Sequence, residues 1–372
     1  MAPKRTPLFD AHVAAGATMV DFAGFEMPVR YSSEREEHLA VRSGVGIFDV
    51  SHMGEVFVEG EGALAFVRGL VTNDAAKIVD GQAMYAGLLN ERATFIDDVI
   101  VYRFSERRFL VCVNASNQDK DFAWIAAQAK EKAPGLKVTN QGADWSQLAV
   151  QGPKAVDVVA KLCDEGVRAI GGYHFREGTI LGEAGIIART GYTGEDGFEL
   201  YVKNAHARKV WDAVLAAGAL PCGLACRDTL RLEAGMCLYG NDIDDEHTPL
   251  EANLGWIVKL PEPGKERAPF VGMDVLVKQK AAGVQRLLRG LELVDRGIAR
   301  HGYTVHDEAG ASIGVVTSGT QTPFLNKAIA MAYLDRAHAE LGHTVFVDVR
   351  GKKLKATVVK LPFYRRATTS KA

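Results

Sequence analysis

The chain has 372 residues, too many for one ordinary domain, so two or three are expected. Hydrophobic residues make up 47% and the formal net charge is only −2, which argues against long disordered charge tracts and against a basic nucleic-acid-binding surface. No uncharged apolar run is long enough to span a bilayer, so neither nucleic acid nor membrane is an expected partner.

The opening stretch Met1 to Asp10 carries Lys4 and Arg5 without an apolar core behind them, unlike a secretory signal. The expected location is the cytoplasm, or the mitochondrial matrix for a chain shorn of a transit peptide. Glu34–Arg42 is charge-rich, with His38, Leu39 and Val41 near its end, and reads as a surface helix. Gly54–Glu59, Phe95–Phe104 and Phe109–Asn114 read as strands. Asp119 to about Lys132 reads as a helix stopped by Pro134 and Gly135. Leu148–Val150 runs into the turn Gln151-Gly-Pro153, which opens a further helix over Lys154–Leu162.

Pro261–Pro269 packs three prolines and four charges into nine positions, the composition of a linker or surface loop. A short helix over Met273–Lys280 comes next. Strands are then predicted at Leu287–Leu293, Ala311–Ser318, Ala328–Leu334, Thr344–Val349 and Leu354–Lys360. Short strands at regular spacing predict a small all-β barrel or sandwich, and the fold class is α+β.

Five cysteines, an odd number in a chain this long, are expected as reduced thiols. Cys222 and Cys226 share a face if their stretch is helical, but Cys237 and His247 are too loosely placed to complete a metal site; no metal is expected.

Three segments bear candidate chemistry. In Phe95-Ile-Asp-Asp-Val-Ile-Val-Tyr102, alternation puts Ile96, Asp98, Ile100 and Tyr102 on one face and Phe95, Asp97, Val99 and Val101 on the other. Both faces are apolar apart from one carboxylate each, so the strand is expected to be buried on both sides, with the aspartates either working or capping a turn. In Arg189–Tyr201, three glycines in seven residues allow tight turning and close approach to a ligand. The strand after it sends Phe198 and Leu200 inward and Glu199 with Tyr201 outward, where a solvated hairpin face is the bland alternative. In Cys226–Met236, a helix stacks Arg227 over Arg231, with Asp228 three residues from Arg231. That pair suits either an anionic ligand or local ion pairs. No nucleotide loop, catalytic Ser-His-Asp order or zinc-binding histidine pair is present.

Taken in order, Thr6-Pro-Leu-Phe9, Met19–Phe25, Phe48–Met53, Ile96-Asp-Asp98, Gln151-Gly-Pro153, Arg189–Glu195, Arg227–Gly235, Leu238-Tyr-Gly240, Thr317-Ser-Gly319 and Lys360–Arg365 resemble the glycine cleavage T-protein family almost to the C-terminus. The resemblance implies three domains around a folate channel: 1–54 plus 142–257, an inserted 55–141 carrying Asp98, and a barrel-like 281–372 after a linker and short helix at 258–280. It implies transfer of the carbon of an aminomethyl-dihydrolipoyl carrier, the lipoylated H-protein, to tetrahydrofolate as co-substrate, with ammonia released and other glycine cleavage components as partners. Asp98 matches the family's catalytic carboxylate. Tyr85, Asn114, Tyr192, Glu199, Arg227 and Arg365 match positions lining the folate site, and Met53 one near the reacting end.

Those roles suit the residue types. Glu199 can accept a pterin's adjacent N–H donors, arginines suit the folate tail's carboxylates, and Asp98 can accept a proton. The chain departs from the family in having Ala93 and Thr94 where two glycines are usual, and in Thr320–Asn326. Related folate demethylases carry a flavin domain whose glycine-rich fingerprint is absent here. Folate-binding iron–sulfur maturation factors carry a Lys-Gly-Cys-Tyr type motif where this chain has Gly235–Gly240. For carrier docking, Arg286, Arg289, Arg296 and Arg300 are the expected basic patch.

Overall fold

A computed structural model describes residues 2–264 and 266–367. Met1, Lys265 and 368–372 lie outside the described residues, and with them one charge of Pro261–Pro269 and the last positions expected in the C-terminal domain. The chain forms two compact units: Met1–Gly191 with Glu195–Cys226 and Ile257–Met273, and Tyr192–Gly194 with Arg227–Trp256 and Asp274–Ala372. Among the described residues, no helix is long and apolar enough to cross a membrane.

Besides a small three-stranded sheet of Lys4–Arg5, Phe25–Arg30 and Thr18–Phe22, the first unit is built on two larger sheets. A six-stranded sheet runs in the order Phe175–Ile180, Glu183–Ala188, Gly197–Lys203, Trp145–Gln151, Gly46–Asp49, Leu220–Pro221. A five-stranded antiparallel sheet runs Gln82–Leu89, Phe95–Ser105, Arg108–Val113, Gly54–Glu59, Lys137–Asn140. All of the latter lies between residues 54 and 140. The chain therefore leaves the six-stranded sheet at Asp49 and re-enters it at Trp145, on the neighbouring strand.

The two sheets face one another. Phe57, Ala83, Tyr102, Leu110 and Cys112 of the five-stranded sheet pack with Phe175, Ile186, Ala188 and Tyr201 of the six-stranded one. Each sheet's other face is covered by helices. Phe66, Val67, Leu70, Ile125 and Ala129 of Ala63–Leu70 and Gln118–Lys132 pack against Val56, Val58, Val99 and Val101. Val210, Trp211 and Val214 of Asn204–Ala216 pack against Leu148, Val150, Leu200 and Val202. Strands sandwiched in this way are apolar on both faces, the pattern that 95–102 shows.

Local signals set the helix ends. Ser33 caps Glu34–Ser43 by accepting from Glu36 N at 3.1 Å, and Glu34, Glu36 and Glu37 fill the first turn. Lys154–Leu162 was expected as one helix, but only Ala155–Val159 is regular, and the chain turns at Leu162 to hydrogen-bond with Leu181. The proline-rich stretch is tied onto the first unit. The Arg267 guanidinium donates to the carbonyls of Lys259, Arg68, Ala268, Val71 and Asn73.

In the second unit, Arg286–Leu293, Ala328–Asp335, Ser312–Gln321, Thr304–His306, Thr344–Val349 and Lys352–Val359 close into a barrel. Its interior alternates as a small barrel requires, with Ala330, Ala332 and Leu334 facing Leu354, Ala356 and Val358.

Candidate functional site

Asp98 stands on the strand Phe95–Ser105 beside two neighbouring strands that supply its partners. Tyr85, on Gln82–Leu89, donates its hydroxyl to Asp98 Oδ2 at 2.9 Å. Asn114, which follows Arg108–Val113, donates from Nδ2 to Asp98 Oδ1 at 2.8 Å. The same amide lies 2.9 Å from Asp97 Oδ1, and the Asn114 backbone N–H lies 2.9 Å from Asp97 Oδ2. Three expected site residues, Tyr85, Asp98 and Asn114, are thus brought together.

The two aspartates do face opposite sides, but the expected alternation fails one residue earlier. Leu88 pairs with Asp97 and Leu89 with Phe95, so Ile96 is the extra residue of a β-bulge. Ile96 turns to the helix-covered face with Val99 and Val101 instead of joining Ile100 and Tyr102. Bulges re-aim side chains next to functional positions, and this one sits immediately before the carboxylates.

Asp97 is 0% exposed and accepts a further bond from Asn117 Nδ2 at 2.7 Å. Desolvation and the neighbouring Asp97 charge push the Asp98 carboxyl up to about 7, against the lowering effect of the Tyr85 and Asn114 hydrogen bonds. A carboxyl that titrates near neutrality can both take and return a proton.

Glu199 was weighed as lying on a solvated hairpin face, and the structure corrects that. Its face looks onto the opposing sheet, and the residue is 8% exposed. Its oxygens accept from Gln147 Nε2 at 2.9 Å and Thr190 Oγ1 at 2.5 Å. Behind Thr190 stands a file of buried hydroxyls: Tyr102 lies 3.2 Å from Thr190 Oγ1, and Tyr201 donates to Tyr102 at 3.0 Å. Two accepted bonds leave a carboxylate with spare lone pairs, so Glu199 can still receive a donor pair. The glycine-rich segment before it is close-packed. A Cβ at Gly191 would meet Gln151 Oε1 at 2.1 Å, and Arg189 clamps Asp196 through two nitrogens.

Met53 is half-buried against the cluster between the sheets. Ala93, where the family has glycine, sits at φ 63°, the left-handed conformation that explains the preference for glycine. Asn90 braces that turn through Arg92 N, Thr94 N and Thr94 Oγ1.

In the second unit, the Arg227 guanidinium lies 4.7 Å over the Tyr192 ring, whose hydroxyl donates to the Cys237 carbonyl. Arg365 is exposed. Arg231 is not the second half of an anion fork. It is 1% exposed and fully committed to Asp228, Asp242, the Met236 carbonyl and Ser318. The expected docking patch also divides. Arg286 pairs with Glu251 at 3.0 Å and Arg289 donates to the Ala339 carbonyl, both half-buried, whereas Arg296 and Arg300 are exposed, Arg300 donating to the Gly319 carbonyl at 3.1 Å.

Four buried polar residues behind these groups escaped the sequence reading: Gln147, Thr190, Asn117 and Asp121. Asp121 had a usable signal, since it shares the 3.6-residue spacing of Ile125, Gln128 and Ala129 on the buried helix face. Cys222 and Cys226 do meet a third ligand-type group, Glu37. Its carboxylate is already occupied by the N–H groups of Tyr31, Ser32 and Gly223 at 2.7–3.0 Å.

Residues 8–262 match the family model described as the GCVT N-terminal domain, and 286–365 that of the glycine cleavage T-protein C-terminal barrel domain. An aminomethyltransferase of Geobacillus kaustophilus is 46% identical over 369 residues, covering 98% of this chain and 99% of the relative. One from Bacteroides fragilis is 47% identical, covering 97% and 99%. Among solved structures, glycine cleavage system aminomethyltransferase T from Bartonella henselae superposes with a TM-score of 0.90 at 38% identity, covering 97% and 98%.

Proposed function

Because the chain belongs to the glycine cleavage T-protein family, we propose that it moves the carbon of an aminomethyl group from a lipoyl-bearing carrier protein to tetrahydrofolate. The carbon's bonds to sulfur and to nitrogen break, and two bonds to folate nitrogens form. The two hydrogens lost from those nitrogens leave on ammonia and on the carrier thiol. One observation carries the reading: a carboxyl held near neutrality, Asp98, with its two oxygens fixed by Tyr85 and Asn114. Asp98 orients the folate amines toward the incoming carbon and accepts a proton as a C–N bond forms.

The other residues recognise the co-substrate. Glu199 takes the pterin's adjacent N–H donors on its spare lone pairs. Tyr85 and Tyr192 offer ring contact, and Arg227 and Arg365 answer the tail carboxylates. Met53 packs near the reacting end. Of the expected patch, Arg296 and Arg300 present exposed charge to an acidic carrier. The division into 1–54 plus 142–257, 55–141, 258–280 and 281–372 belongs to the same reading, as do a cytoplasmic setting and work alongside the other glycine cleavage components.

The test is to mix the enzyme with aminomethyl-loaded carrier, with and without tetrahydrofolate, and measure methylenetetrahydrofolate. Folate-dependent product formation is expected. No product from loaded carrier and folate together would overturn the assignment.

A further inference from the structure

Asp121 lies in the first turn of Gln118–Lys132, on the face that enters the core with Ile125, Gln128 and Ala129. It is 0% exposed, and among the described residues neither of its carboxyl oxygens has a hydrogen-bond donor. An ionised carboxylate there would stand desolvated and uncompensated, the least favourable state for the group. Its neighbour is itself a carboxyl: Asn117, one helical turn before Asp121, donates to Asp97, so this face of the helix opens on the Asp97 side chain, whose charge acts on Asp121. Asp97 already accepts from Asn114 N, Asn114 Nδ2 and Asn117 Nδ2. Three N–H donors mark Asp97 as an acceptor with room for one more, and a protonated carboxyl is the O–H donor that completes it.

We propose that Asp97 and Asp121 share a single proton, carried by Asp121 as a neutral acid donating to Asp97, and that this buried pair is a positioning device for Asp98. The role at Asp98 rests on the function proposed above. The linkage is short. With the proton so placed, Asp121 donates to Asp97; Asp97 holds Asn114 by two bonds, and Asn114 points Nδ2 at Asp98 Oδ1.

The charged and titratable groups facing the pair are Asp98 from its own strand, Lys120 from the helix and Cys112 from the adjacent strand. Tyr85 reaches Asp98 from the other side. Burial first, then the Asp97 charge, pushes the Asp121 carboxyl up to about 11, with Lys120 pulling the other way. The helix N-terminus also favours an anion, but that dipole effect is small beside burial of an unpaired charge. The hydrogen bond from a neutral Asp121 draws the Asp97 charge toward itself and away from Asp98. Without that donor, the Asp97 charge would act more strongly on Asp98, and Asp98 would titrate higher.

Asp121→Asn keeps a neutral donor of the same shape, and Asp121→Ala removes it. Infrared difference spectra of the full chain, wild type minus Asp121→Asn, should show the carbonyl band of a protonated carboxylic acid persisting through neutral pH. Glu55, a second buried carboxyl without donors, is present in both proteins and cancels. Absence of the band would overturn the proton assignment whether or not the protein transfers one-carbon units.

In the pH–rate profile, Asp121→Asn should leave the acid limb in place. A limb displaced downward would mean that an anion had been removed, and would refute the neutral acid. Asp121→Ala should move the limb upward, lowering turnover below the limb roughly tenfold for each unit of displacement. An unmoved limb in a folded alanine variant would remove the link to Asp98, and the asparagine pair of measurements decides the proton if alanine does not fold.

Discussion

The Tyr85 hydroxyl donates to Asp98 Oδ2 at 2.9 Å across two paired strands, and it does so to a carboxyl that burial and a neighbouring charge both oppose ionising. The phenol is one of two side-chain donors that keep Asp98 from titrating higher still. Tyr85→Phe deletes that donor and little else. The acid limb of the pH–rate profile should move upward, with turnover at high pH less affected than turnover at pH 7. An acid limb that stays put would show that the hydroxyl does not govern Asp98.

Asp98→Asn should lower turnover by about 100-fold or more, the usual scale for loss of an acid–base group. Its effect on stability carries the opposite sign. The folded carboxyl titrates near 7 and an unfolded one near 4, so between these values the folded state binds more protons. Stability contributed by this group is present below about pH 4 and lost as pH rises through about 7. Thermal unfolding of Asp98→Asn should therefore fall off less than wild type across that window. Asp97→Asn should instead unfold more easily, because Asp97 holds Asn114 and Asn117. An Asp97 variant that stays as stable as wild type while losing more turnover than Asp98→Asn would reverse the assignment.

Glu199→Gln replaces an acceptor oxygen with a donor at a site already receiving Thr190 and Gln147. Folate affinity should weaken by about 1–3 kcal/mol, the cost of an unmatched buried polar contact. Titration calorimetry with tetrahydrofolate measures this directly, and an unchanged Kd would take Glu199 out of the pterin site.

Ala93→Gly should stabilise the protein. A left-handed alanine costs about 1–2 kcal/mol, and glycine's extra unfolded-state freedom takes back about 0.5–1 kcal/mol. A net gain of up to about 1.5 kcal/mol is expected in denaturant unfolding. A loss would mean that Asn90 bracing has already removed the strain.

Elements governed by local pattern were legible from the residues alone. Gly54–Glu59 and Thr344–Val349 lie where alternation predicts, and the opposite facing of Asp97 and Asp98 follows from strand geometry. Ile96 was misread because a bulge depends on how two strands register, which their separate sequences do not state. Glu199 looked solvated because a polar residue beside glycines usually is; its burial comes from a second sheet whose strands lie far away in the chain. Arg231 likewise finds its partners Asp242 and Ser318 only through tertiary folding. Periodicity reports which face a residue takes, but what covers that face is set at long range.

The pairing of Gly46–Asp49 with Trp145–Gln151 closes a long loop, and that loop contains the whole five-stranded sheet. The sheet's own first and last strands, Gly54–Glu59 and Lys137–Asn140, also lie side by side. Once residues 54–140 are folded, their two ends emerge together, and the remaining gap to Asp49 and Trp145 is a few residues on each side. The entropy of bringing the distant strands into register is then met within the insertion itself, leaving only a short closure. The six-stranded sheet that carries Glu199 thereby inherits its chain connectivity from the one that carries Asp98, which ties the assembly of one half of the proposed site to the other.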